Sequence, residues 1–369
     1  MTLHWRLPAR RLAACCAVLA AGAALTSCAG GNSAGGSSAS GNSADGTAGS
    51  RIKTAGIVQF ALPPAGQGCT GARRLAGGGT RIGVTVSTRQ SQVAAIANVC
   101  IDGKGPFPFV IDTGAQGSVL TAALARKLRL PGIGPPVLIG GAGCSAKAQL
   151  ARIASWNVAG LTLRPQYVTE LRIPLFGGRG QPDGLLGSDV WSRFGAMRLD
   201  FARGSLTVPG PEQPGPARKT TISQPSAAPV PAALLHGRPT IIVPMKVTSQ
   251  PGSTAISVEI RFGTRSPLNF TPDTGASQSA VDPGVARRSA LASAHARVRQ
   301  GTVCTIGTFP EVKTGPWSAA GHPLHPQVAG VIGLERTTGT AGLLGADQMS
   351  RFGSVVFDYA GGRLILGAG

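Results

Sequence analysis

The chain has 369 residues, of which 54 are Gly and 28 Pro, so turns are frequent and a helical bundle is excluded. Apolar residues make up 42%, enough for a packed core, and charged residues at 14% argue against a highly charged disordered chain or a long coiled coil. The balance is 35 basic to 15 acidic residues, a net charge of +20, but the basic residues are scattered and aromatics are only 5%, so nucleic acid is not an expected partner.

Residues 1–27 read as an export signal. Arg6, Arg10 and Arg11 form a basic start, and the uncharged run from Ala13 to Leu25 falls short of the roughly 20 residues that span a bilayer. Leu25-Thr26-Ser27-Cys28 resembles the lipobox of bacterial lipoproteins. That resemblance implies that Cys28 is lipidated and that the protein sits on the outer face of the bacterial cytoplasmic membrane; the alternative is a plain secretory signal. Three Arg leave with the signal, so 32 basic residues then face 15 acidic ones. The excess reads either as attraction to anionic lipid headgroups or cell-wall polymers, or as a basic surface that serves solubility. Cys69, Cys100, Cys144 and Cys304 remain, and outside the cytoplasm they suggest two disulfides with three connectivities open.

Residues 28–78 hold a Gly/Ser-rich spacer and room for a propeptide. Residues 209–237 are Pro-rich and read as a stiff, extended linker. Between and beyond them lie two bodies, 79–208 and 238–369, which repeat each other. Asp112-Thr113-Gly114-Ala115 matches Asp273-Thr274-Gly275-Ala276, and each Asp is followed six positions later by a Ser. Leu185-Leu186-Gly187 matches Leu343-Leu344-Gly345 at a shift of 158, and so do Asp189 and Asp347 and several residues after them. Identity at so many fixed offsets indicates internal duplication.

Each body reads as mostly strand. Val93–Ile101 and Phe107–Ile111 flank a hairpin turn at Asp102–Pro106, and Thr121–Leu128 is expected as a short helix. Asp282-Pro283 marks the start of its counterpart. Asp189 and Asp347 are expected to cap a second short helix in each body. His322 and His325 sit in a Pro-flanked loop with no carboxylate near in sequence, so no metal site is expected there, and no Gly-x-Ser-x-Gly elbow marks serine catalysis.

Two Asp-Thr-Gly motifs, each preceded by a strand and followed by Leu-Leu-Gly, resemble the aspartic proteases. The Ala after each motif is most similar to the retroviral enzymes and their bacterial relatives. The resemblance covers both bodies and implies a mostly β, bilobal fold of two similar barrel-like lobes with a cleft between them. It implies Asp112 and Asp273 as the catalytic pair, Thr113 and Thr274 bonded across the pseudo-dyad, and Gly114 and Gly275 allowing tight turns. Two carboxyls about 3 Å apart cannot both ionise, so they share a proton and supply both an acid and a base for splitting an amide with water. No cofactor is required. Ile139, Gly140, Gly141, Ala142 and Gly143 resemble the Gly-rich flap of the retroviral enzymes, with 298–303 at the matching distance in the second body. The flap lacks the Tyr of the pepsins. Cys144 and Cys304 fall at these two flaps, so the resemblance implies a bond across the cleft that resists flap opening, leaving Cys69 to pair with Cys100.

The expected function is that of a monomeric, membrane-anchored endopeptidase acting on peptides or proteins. A rival reading is a binding lipoprotein that kept the fold without turnover. Pro272 keeps it alive, because it removes an N–H just before Asp273 and threatens to shift the second carboxylate.

Overall fold

A computed structural model of the chain describes residues 61–64, 68–89, 92–174, 180–235 and 241–367. The export signal, Cys28 and most of the spacer lie outside them. Among the described residues no helix is long and apolar enough to cross a membrane.

Strands dominate. Gln92–Ile101 is apolar or small at nearly every position and is buried on both faces. It turns into Lys104–Ile111 through Asp102 and Gly103 alone, both in the left-handed region (φ 50° and 73°). Asp-Gly supplies the two positive φ values that match the twist of a hairpin, so the turn is shorter than the five residues expected and Lys104 already pairs with Ile101. Gly105 sits where a Cβ would lie 2.8 Å from Cys100 Sγ.

The repeat reappears as two copies of one strand arrangement. Gly184–Leu186 runs between Lys104–Ile111, to which it is parallel, and Val119–Thr121, to which it is antiparallel. In the second half Gly342–Gly345 lies in the same way between Leu268–Asp273 and Ala280–Val281. Each copy thus holds its Asp at the end of an apolar strand clamped by two neighbours. Thr121 caps the helix Ala122–Leu128 by accepting from the Leu124 N–H, and Asp282 caps Pro283–Arg288 by accepting from Gly284.

The first half contributes a ten-stranded sheet of its own. The mostly β, two-half fold is as expected, built among the described residues from two sheets with no closed barrel. The halves meet in a common sheet, where Ala196–Asp200 pairs antiparallel with Ser354–Asp358, Leu199 opposite Val355. All ten of these residues are buried. Ser205–Val208 and Arg363–Leu366 flank the pair on either side.

The Pro-rich segment is less independent than an extended linker. Its Thr220–Ile222 adds a strand to Ile241–Gln250, and Leu234 is fully buried. β-branched residues and a Leu inside a Pro-rich stretch give it something to pair and to bury.

Candidate active site

The two Asp-Thr-Gly loops meet at the junction of the halves. Thr113 Oγ1 donates to the Pro272 carbonyl (2.8 Å) and accepts from the Thr274 N–H (3.0 Å). Thr274 Oγ1 reciprocates, donating to the Ile111 carbonyl (2.7 Å) and accepting from the Thr113 N–H (3.1 Å). Four buried hydrogen bonds across the pseudo-dyad therefore fix one loop against the other.

Gly114 and Gly275 are required for a reason other than the turn. Neither has a positive φ. A Cβ on Gly114 would lie 2.3 Å from Asp273 Cγ, and a Cβ on Gly275 2.3 Å from Asp112 Cγ. Each glycine is the space into which the opposite carboxyl fits.

Asp112 Oδ1 accepts from the Ala115 N–H (2.8 Å), while Asp273 Oδ1 accepts from both Gly275 (2.8 Å) and Ala276 (3.0 Å). The two carboxyls hydrogen-bond each other. Burial raises both above the ordinary carboxylate range, and the neighbouring Asp273 charge raises Asp112 further. The bond from Asp112 favours the ionised form of Asp273. Two carboxyls so placed can share one proton, and the titration then belongs to the pair.

Pro272 does not displace Asp273. The parallel ladder continues through it, with Pro272 opposite Leu344 and Asp273 opposite Gly345. In the first half the Asp112 N–H bonds Leu186 O, so the N–H of the preceding residue points away from the Leu-Leu-Gly strand. Pro272 lacks its donor on that same outer side, and its carbonyl is the acceptor for Thr113.

Asp189 and Asp347 are not caps. The helices Ser188–Trp191 and Ala346–Met349 start after Gly187 and Gly345, with no side-chain cap. No side chain fits there: a Cβ would come within 2.8 Å of Ala115 O at Gly187 and 2.7 Å of Ser279 N at Gly345. The buried carboxylates instead accept from Ser118 Oγ and Ser279 Oγ (2.8 Å each), and those hydroxyls accept from the Gly187 and Gly345 N–H groups (3.0 Å each). Ser and Asp together brace each Asp-Thr-Gly loop from below. Burial raises Asp189, and pushes Asp347 up to about 6.

One support exists in only one copy. Ser188 Oγ donates to Thr113 O (2.7 Å) and meets Tyr359 Oη from the other half (3.0 Å). At the repeat shift of 158, Ser188 corresponds to Ala346 and Phe201 to Tyr359. These two mismatches were the available signal in the sequence, and the motif reading passes over them. Burial raises the Tyr359 phenol well above its ordinary range, so it stays protonated.

The segment expected as the flap lies at the tip of the hairpin of Gly132–Gly141 and Cys144–Ile153, and its counterpart pairs Ser293–Gly301 with Ile306–Lys313. Each tip reaches the opposite half. Ala142 packs with Ala280, Ile332 and Leu334, and the Gly143 N–H donates to Gly333 O (2.6 Å). Val303 packs on the first-half cluster around Val110, as Val137 and Ile139 do. Gly140 and Gly141 admit this contact: a Cβ on either would lie 2.1 Å from Thr337 O or from Val303 Cγ2. Cys144 and Cys304 are bonded at the tips (Cα–Cα 6.2 Å), and Cys69 is bonded to Cys100 (5.7 Å). His322 is exposed, and His325 packs its ring on Phe352 (5.6 Å). Among the described residues no three His, Cys, Asp or Glu gather as metal ligands.

Residues 97–190 match the family model of aspartyl proteases. The match takes in Asp112, the flap and Asp189, and marks this stretch as an aspartyl protease-like domain. No curated protein matches the chain.

Proposed function

We propose that the protein is an exported, lipid-anchored aspartic endopeptidase whose dyad is Asp112 and Asp273. The observation that carries this reading is the mutual contact of two buried carboxyls, one from each half, over a reciprocal Thr–Thr lock. A water between the carboxyls loses a proton to the ionised Asp273, whose oxygen is already held by two N–H groups. As its oxygen attacks the peptide carbonyl carbon, Asp112 gives its proton to the carbonyl oxygen. Collapse of the tetrahedral diol breaks the C–N bond: the proton taken by Asp273 passes to the leaving nitrogen, and one diol hydroxyl returns its proton to Asp112 as the carbonyl re-forms. One water is consumed, and the dyad returns to a single shared proton.

Hydrolysis of a broad peptide library tests the reading, with inhibition by a peptide that carries a secondary alcohol in place of the scissile amide. Asp112→Asn and Asp273→Asn should each abolish cleavage while leaving the thermal melt intact. Full activity in Asp273→Asn would refute the two-half mechanism. For the anchor, Cys28→Ser should move the protein from the membrane fraction to the soluble one, because the acyl chains supply the hydrophobic attachment. Retention through a high-salt wash would refute lipid anchoring at Cys28.

A further inference from the structure

The bonded flap tips close a covalent ring around the dyad. From Cys144 the chain runs in order through Gly184–Leu186, through Ala196–Asp200 of the common sheet, and through Asp273 to Cys304. The Cys144–Cys304 bond joins the two ends of this path, 160 residues apart in sequence. The Thr113–Thr274 lock holds the floor of the ring shut, and the tips are further fixed by the Gly143–Gly333 hydrogen bond and by Val303 packed into the first half. In a cleft with free flaps, a loop in the middle of a folded protein enters sideways when the flaps lift. With the tips bonded, a sideways approach to the dyad would have to pass the Cys144–Cys304 bond or the common sheet.

We propose, resting on the proteolytic reading above, that the disulfide-bonded protein takes its substrate by threading. Its substrate class is then polypeptide with at least one free, unstructured end. A chain segment with folded domains on both sides cannot reach the dyad, whatever its sequence. A peptide without tertiary structure passes along the channel end first.

The experiment uses a peptide that the protein cleaves in a library, carried as a linker in two fusions. One fusion has a small folded domain at one end of the linker, and the other has it at both ends. The disulfide-bonded protein should cut the singly blocked fusion and should cut the doubly blocked one slower by about tenfold or more. Cys144→Ser/Cys304→Ser, which opens the ring, should cut both fusions at similar rates. Cys69→Ser/Cys100→Ser keeps the ring and should retain the discrimination, which separates threading from a general effect of losing a disulfide. Equal rates on both fusions with the Cys144–Cys304 bond intact overturn threading while leaving proteolysis standing. Persistence of the discrimination in the opened variant also overturns it. Failure of every form to cut either fusion or the free peptide overturns the proteolytic reading, and threading with it.

Discussion

At the residue scale the site is built from space as much as from hydrogen bonds. Gly114 and Gly275 leave room for a carboxyl, so Gly114→Ala should drive Asp273 out of register with Asp112. The expected result is loss of peptide hydrolysis by about two orders of magnitude or more, since positioning errors near 1 Å already cost that much. Thr113→Val removes one donor and one acceptor from the buried lock and should destabilise the fold by roughly 2–4 kcal/mol, whereas Thr113→Ser should retain most of both stability and rate. Chemical denaturation and kinetics on the same samples check this. Because burial raises the dyad, cleavage should persist above the ordinary carboxylate range and fall as pH rises and the shared proton is lost. A rate that keeps increasing into alkaline solution would contradict a shared-proton pair. The motif spacing makes Asp112 and Asp273 legible in the sequence, as it does the Thr residues through the resemblance. The Ser188–Tyr359 contact is not legible in this way: it joins residues 171 apart, and hydroxyl-bearing side chains carry no spacing rule.

At the element scale, the short helices after the Leu-Leu-Gly strands show where local reading stops. An Asp near a helix start reads as a cap, yet Asp189 and Asp347 are drawn inward by Ser118 and Ser279, far away in the chain. Asp347 also supplies a pH test. Its pKa in the folded protein is about 6, against 3.8 for the free side chain, so the folded state holds this proton more tightly than the unfolded one. Its effect on stability is therefore favourable in acid and is lost as pH rises from about 4 to about 6. Some 3 kcal/mol is the upper scale of the change, at 1.36 kcal/mol per pKa unit. Asp347→Asn keeps an acceptor for Ser279 and should remove this part of the slope, leaving the variant as stable as the parent, or more so, at neutral pH. Thermal melts across that window decide it. A slope unchanged by the substitution would mean that other groups set it.

At the scale of the whole molecule, the duplication read from the sequence became two copies of one strand arrangement, and the common sheet became their joint. The repeat was legible because identical residues recur at one shift. The sheet that joins the copies was not, since its strands read as ordinary apolar runs with no mark of which partner they choose. That joint has a consequence for symmetry. An enzyme assembled from two identical subunits must carry every residue twice, but one continuous chain can differ between its halves. Two first halves would set Ser188 against Phe201. Two second halves would set Ala346 against Tyr359 and bury a phenol that has lost its hydroxyl partner. Only the unlike pair places a Ser–Tyr contact beneath one Asp-Thr-Gly loop and leaves the other without it, so the two carboxyls are chemically inequivalent before any substrate arrives.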